Sequence, residues 1–241
     1  MRNVRMFCGL LLAALLAVPA ETRAQTKKPR RPNPVFAPVK DNPELPRVLL
    51  LGDSISIGYT LPVREILKGK ANVHRAPTNC GPTTRGLAQI EAWIGNKKWD
   101  VIHFNFGLHD LKYIDGKGKL VSPTKGEIQV PLENYTKNLR SLVERLRKTG
   151  ARLIWCSTTP VPKGARGRIA DDSVRYNQAA LAAMKDAGKS EIAVNDLHAF
   201  AKARLDKIQR KADVHFTRDG SKQLANEVAK AIETALNRKK R

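Results

Sequence analysis

The sequence predicts an α/β fold: a mainly parallel, five-stranded sheet with helices on both faces. Three observations predict it. Five short apolar runs recur along the chain, amphipathic stretches lie between them, and turns bearing serine or glycine follow the first three runs. Strand followed by helix, repeated, requires crossover connections. These are right-handed and cover both faces of a parallel sheet.

The strand candidates, in order, are Arg47 to Leu51, Asn72 to Arg75, Val101 to Phe106, Arg152 to Cys156 and Ile192 to Asn195. A helix is expected from near Gly58, after the first run. Tyr135, Leu139, Leu142, Val143 and Leu146 fall on one helical face, and Leu224, Val228, Ala231, Ile232 and Ala235 repeat the pattern. The stretch from Lys112 to Pro131, broken by Gly116, Gly118, Pro123 and Gly126, is too long for a simple connection and is expected to border a substrate. Sites in such sheets form at the carboxyl ends of the strands. Ser54, Gly81 and Gly107 follow the first three runs, and His215 precedes the last helix.

The 241 residues divide into three segments. In residues 1–24, Arg2 and Arg5 precede an apolar run from Met6 to Ala20, and Thr22-Arg23-Ala24 offers a cleavage site, the pattern of an export signal. That run has 15 residues, short of the roughly 20 that span a bilayer; an uncleaved membrane anchor is the alternative reading. Residues 25–46 are rich in Pro and Lys and read as an extended linker, leaving 47–241 as a single domain. The expected location is therefore periplasmic or secreted.

The formal charge of +22 becomes +20 once residues 1–24, with three Arg and one Glu, are removed. Such a surface attracts polyanions, an acidic polysaccharide or an anionic membrane, and equally serves as a solvated face that keeps the protein soluble. Nucleic acid is not expected for an exported protein. Cys80 and Cys156 have no Cys-x-x-Cys or His-x-x-x-His company, so no metal is expected, and they read as two small buried thiols.

Val48-Leu49-Leu50-Leu51 runs into Gly52-Asp53-Ser54-Ile55, which puts a serine at a strand end beside a helix N-terminus. Backbone N–H groups there stabilise the negative charge of an acyl-transfer intermediate, although Asp and Ser after a strand are also ordinary capping residues. A nucleophilic serine needs a base. Of the five histidines, His74 and His103 lie in strand runs and His198 in a helical surface stretch, whereas His215 sits in a loop beside Asp213.

Four short blocks, in order, resemble those of the SGNH (GDSL-like) hydrolases: Gly52-Asp53-Ser54-Ile55, Asn79-Cys80-Gly81-Pro82-Thr83-Thr84, Asn105-Phe106-Gly107-Leu108-His109-Asp110 and Asp213-Val214-His215-Phe216-Thr217. The similarity runs from Arg47 to the C-terminus. It implies a three-layer α/β/α sandwich of the flavodoxin-like kind. It also implies ester hydrolysis through an acyl-serine intermediate without metal or organic cofactor. Carried over, Ser54 is the nucleophile, His215 the general base, and the Ser54 and Gly81 backbone N–H groups bind the oxyanion.

Two positions depart from the family pattern. His109 stands where the family has an asparagine donor; a neutral histidine has one N–H to offer, so it either replaces that donor or is a packing substitution. Ala212 stands where the family has its aspartate, three residues before the histidine, leaving Asp213 or a backbone carbonyl to orient His215. Asp53 and Asp110 are expected to brace the loops. The expected function is an exported esterase acting on small acyl groups, with acetyl esters of a polysaccharide as the substrate class. The alternatives are a weakly active or inactive module of this fold that binds acidic glycans, and a lysophospholipase- or lipase-like esterase.

Overall fold

The computed structural model describes residues 33–186 and 192–238; the expected leader and the first part of the linker lie outside the described residues. The central sheet contains β1 (Arg47–Leu51), β2 (Asn72–Arg75), β3 (Val101–Phe104), β6 (Arg152–Cys156) and β7 (Ala193–Asn195) in the order β2-β1-β3-β6-β7. Every pairing is parallel. Val48, Leu49, Leu50 and Leu51 are all buried, the continuous apolar run required of a strand covered on both faces. Three of the five strands have the bounds expected from sequence. The third stops at Phe104 because Asn105 to Gly107 leave the sheet to build a loop, and the fifth begins at Ala193 rather than Ile192.

The connection from β1 to β2 runs across the sheet one way and all later connections run the other way. Right-handed crossovers therefore place α1 (Ser54–Ile66) on one face and α2 (Thr83–Ile94), α3 (Leu132–Arg147) and α4 (Asp172–Asp186) on the opposite face. The packing agrees. α2 lies against α3 and α3 against α4, while α1 packs on the last helix, α7 (Arg218–Asn237). Tyr135, Leu139, Leu142, Val143 and Leu146 are the fully buried face of α3, as their spacing predicts. The strand order reverses between β1 and β3, the switch point at which open α/β sheets place their ligands.

The stretch between β3 and α3 is not one loop. It folds back as a small antiparallel ribbon of β4 (Tyr113–Ile114) and β5 (Glu127–Ile128). Residues 33–46, expected as the end of an extended linker, lie against the sheet edge instead. Val35 is buried, Asn72 holds Asn42 and Leu45 through its side chain, and Asp41 pairs with Arg47 and His74. Pro and Lys content signalled the absence of regular structure there; it carried no information on these polar anchors. Between β7 and α7 lie two short helices, α5 (Leu197–Lys202) and α6 (Leu205–Ile208). Among the described residues no helix is long and apolar enough to cross a membrane.

Candidate active site

Leaving β1, the chain turns at Gly52-Asp53 directly into α1, four residues before the start expected near Gly58. Asp53 explains the difference: it is the N-cap, and its Oδ1 accepts from the Ile55 N–H at 2.9 Å, supplying an acceptor the helix end lacks. Ser54 is thus the first residue of α1 and half-buried at the carboxyl edge of the sheet. The positive end of α1 therefore lies beside the serine hydroxyl. Beneath the turn Arg75 is buried. It donates to Gly52 O, Thr78 O, Ala76 O, Ser56 Oγ and Thr60 Oγ1 at 2.9–3.4 Å.

His215 reaches this serine from 161 residues away, its Nε2 2.9 Å from Ser54 Oγ. Asp213 Oδ1 lies 2.7 Å from His215 Nδ1 and also accepts the His215 backbone N–H at 3.1 Å. The Asp213 carboxylate, not a backbone carbonyl, therefore faces the imidazole. Partial burial alone would raise the Asp213 carboxyl; hydrogen bonds from the His215 ring and backbone, with the charge of His215, outweigh it and hold the carboxyl below its ordinary value. The loop is pinned on both sides. Gln209 bridges Phe216 and donates through Nε2 to Pro160 O and Val214 O, and Arg210 N–H donates to His215 O at 2.9 Å. Ala212 takes a left-handed φ of 53°, which turns Asp213 back toward the ring and is unfavourable for a residue with a Cβ.

The second and third blocks form the other wall, a cleft of about 640 Å³ lined by Gly81 and His109 with Asn79, Thr84, Arg85, Lys112 and Gln129 among its neighbours. Asp110 ties the two blocks together: its Oδ1 accepts from both the Thr83 N–H (2.8 Å) and the Thr83 hydroxyl (2.6 Å). Burial pushes the Asp110 carboxyl up to about 7 against those bonds. Gly107 stands where a Cβ would collide with the Thr158 side chain, so only glycine passes. Arg168 clamps the next carbonyl, Leu108 O, with Nε at 3.0 Å and Nη2 at 2.9 Å. His109, held by its neighbours on that clamped loop, is lowered in pKa. Burial is the main cause, opposed by the Asp53 carboxylate and reinforced by Lys112, Arg168 and His215. A neutral ring with one N–H is the result. Gly81 has a φ of 66° and its N–H is not free, because Asn79 Oδ1 accepts it at 2.9 Å. The N–H expected to bind the oxyanion is thus already engaged by a side chain. An oxyanion arriving there shares the N–H with Asn79 or displaces its side chain.

A serine hydroxyl, an imidazole and a carboxylate in a hydrogen-bonded line, with a helix N-terminus at the serine, are the parts of an acyl-transfer site. Residues 76–228 match the family model described as GDSL-like Lipase/Acylhydrolase, more than half of the chain. The chain belongs to this family. It is accordingly a carboxylic ester hydrolase. The matched span starts after Ser54, so the nucleophile's place rests on the geometry above. No curated protein matches the sequence. Solved structures similar to this esterase include an acetyl xylan esterase, AlAXEase (17% identity, TM-score 0.62, 77% of this chain and 99% of that one). A lipase/acylhydrolase from Enterococcus faecalis is also similar (17%, TM-score 0.64, 81% and 100%). So is the psychrotrophic esterase EstA from Pseudoalteromonas sp. (13%, TM-score 0.59, 80% and 99%). At these identities the likeness is one of fold.

The esterase's other singled-out residues sit apart from the serine. His103 is fully buried in β3 with Nε2 3.1 Å from Asn195 Nδ2, and burial lowers it to about 4. His74 pairs with Asp41 at the sheet edge, and His198 is half-buried on α5 rather than on an open helical surface. Cys80 and Cys156 are buried and unpaired; burial pushes the Cys80 thiol up to about 12 and its Sγ accepts the Gly52 N–H. Among the described residues no three His, Cys, Asp or Glu side chains converge on a metal position. Sequence reasoning missed Arg168, Arg75 and Asn79. The first two act through carbonyls brought close only by folding, whereas Asn79-Cys80-Gly81 carried the signal of a side chain turning back on its own backbone.

Proposed function

We propose that the protein is an exported serine esterase that removes small acyl groups, acetyl above all, from the hydroxyls of a polysaccharide. The observation that carries the reading is the Asp213–His215–Ser54 line at the carboxyl edge of the sheet. Ser54 Oγ attacks the ester carbonyl as its proton passes to His215 Nε2, and the Asp213 carboxylate holds the ring and balances the charge it gains. The carbonyl oxygen, now anionic, meets the Ser54 N–H, the His109 ring N–H and the Gly81 N–H shared with Asn79. His215 returns the proton to the leaving alcohol, and the acyl group remains on Ser54. Water then attacks the acyl-serine, with His215 accepting its proton and returning it to Ser54 Oγ as the acyl–oxygen bond breaks, which releases the carboxylic acid and free Ser54.

A polysaccharide substrate is supported by the amide, hydroxyl and cationic side chains that line the cleft and by the leader-like residues 1–24. The acetyl xylan esterases among the similar folds are in keeping with it. The test is hydrolysis of a chromogenic acetyl ester by the protein from Gln25 onward, with Ser54→Ala and His215→Ala beside it. Turnover abolished in both variants supports the mechanism, and turnover retained by Ser54→Ala overturns it. Preference for long over short acyl chains would replace the polysaccharide with a lipid.

A further inference from the structure

The cleft beside the active site has a charge pattern that the ester chemistry does not require. Of the side chains named as lining it, Arg85 and Lys112 are cationic and none is acidic. Neither forms an ion pair among the described residues. Arg168, which clamps the carbonyl of Leu108 next to His109, forms no ion pair among the described residues either, although Asp53 and Asp213 attract it. The acids nearby make their direct contacts elsewhere: Asp53 caps α1, Asp110 holds Thr83 and Asp213 holds His215. Lys112 is half-buried, and its ammonium is lowered first by that burial and then by repulsion from Arg168, against the attraction of Asp110. Cations that face a cleft without a carboxylate in direct contact are an arrangement that an incoming anion completes. Around them Asn79, Thr84 and Gln129 offer amides and a hydroxyl, and the Gln129 Oε1 is buried without a partner. Groups of that kind suit sugar hydroxyls.

We propose that this cleft is an anion subsite in which Arg85 and Lys112, backed by Arg168, bind a carboxylate on the alcohol part of the ester, so that the substrate is an acylated glycan containing uronic acid. The inference rests on the esterase reading above. A carboxylate placed there orients the sugar so that its acyl group faces Ser54. Because the contact forms in the ground state, it acts on KM more than on kcat.

The experiment compares acetylated oligogalacturonides with acetylated xylo-oligosaccharides of equal length at fixed ionic strength, for the wild type, Lys112→Gln and Lys230→Gln. Lys230 is exposed, three turns along α7 from its start, roughly 18 Å of helix. The wild type is expected to favour the uronate series at least tenfold in kcat/KM, through KM. Lys112→Gln should lower that ratio about fivefold or more, with Lys230→Gln leaving it in place. Turnover of the chromogenic acetyl ester with a ratio near one overturns the subsite and spares the esterase reading. An equal fall in both variants overturns it as well, because it shows general attraction to a basic surface. Inhibition by inorganic phosphate without any uronate preference replaces the carboxylate with a phosphate-type anion. Failure to turn over any ester overturns both readings.

Discussion

Asp213→Asn isolates the charge of the carboxylate behind His215. Asparagine keeps an oxygen that can accept from both the His215 N–H and Nδ1–H, so the turn and the ring position survive while the negative charge goes. The magnitude depends on exposure. The Asp213 side chain is 38% exposed and that of His215 45%, so their attraction is partly screened by water. Two unit charges about 4 Å apart interact by roughly 1 kcal/mol in water and roughly 4 at the effective dielectric of a protein surface. A value near 2 kcal/mol, about a 30-fold loss of kcat, follows for this half-open pair. A fully buried triad carboxylate loses about 10⁴ on the same change. The assay is kcat on a chromogenic acetyl ester, with thermal melting to show that the fold is intact. A kcat within twofold of wild type would refute the reasoning and reduce Asp213 to a turn residue. A loss as deep as that of His215→Ala would refute the screening argument instead.

His109→Ala should lower kcat by about 10² with little change in KM if the ring N–H meets the oxyanion only in the transition state; steady-state kinetics on the same ester check this. Ala212→Gly removes a Cβ from a left-handed position and should raise stability by about 1 kcal/mol, read as a higher melting temperature with the Asp213–His215 contact unchanged. Asp110 contributes a pH dependence of opposite sign to that of a paired carboxylate. Its folded pKa of about 7 lies above the ordinary value of 3.8, so the native state holds the proton more tightly and stability falls as pH rises between those values. The wild type should therefore lose stability relative to Asp110→Asn from pH 4 to 7, by up to about 4 kcal/mol. Equal slopes in urea unfolding across that range would show that Asp110 is not buried as described.

Much of the fold was legible because a parallel strand covered on both faces must be apolar throughout, as Val48 to Leu51 are. Such a run is followed by a turn that can be read for chemistry. The start of α1 was misread because an aspartate cap fixes the helix at Ser54 before any apolar periodicity begins. Of the candidate site residues, Ser54, His215 and Asp213 come together as a hydrogen-bonded line. Whether Asp213 could turn toward the ring was not legible, since it depends on Ala212 entering a region that alanine seldom occupies. The state of the Gly81 N–H was equally hidden. Asn79 two residues before Gly81 signals a side chain able to turn back on the backbone, but whether it captures that N–H depends on how the turn closes.

Arg75 and Arg168 share a physical logic with the excess of cations in the chain. With 44 Lys and Arg against 22 Asp and Glu, half of the cations have no acid to meet. An unpaired guanidinium that is buried must still satisfy its five N–H donors. Arg75 does so on three carbonyls and two hydroxyls under the nucleophile turn, and Arg168 on the carbonyls of Leu108 and Arg166 beside His109. Each planar fork fixes the loop it grips, and a lysine, with one ammonium on a flexible stem, reproduces neither the number nor the angles of those bonds. The difference between the two lies in what is left over. Arg75 is enclosed and all its charge goes into bracing Gly52 and its neighbours. Lys112 stands at an open cleft with Arg168 close enough to repel it, where a positive charge also acts on whatever enters. The same excess of positive charge thus becomes framework where it is enclosed and, under the proposed anion subsite, selects substrate where it meets solvent.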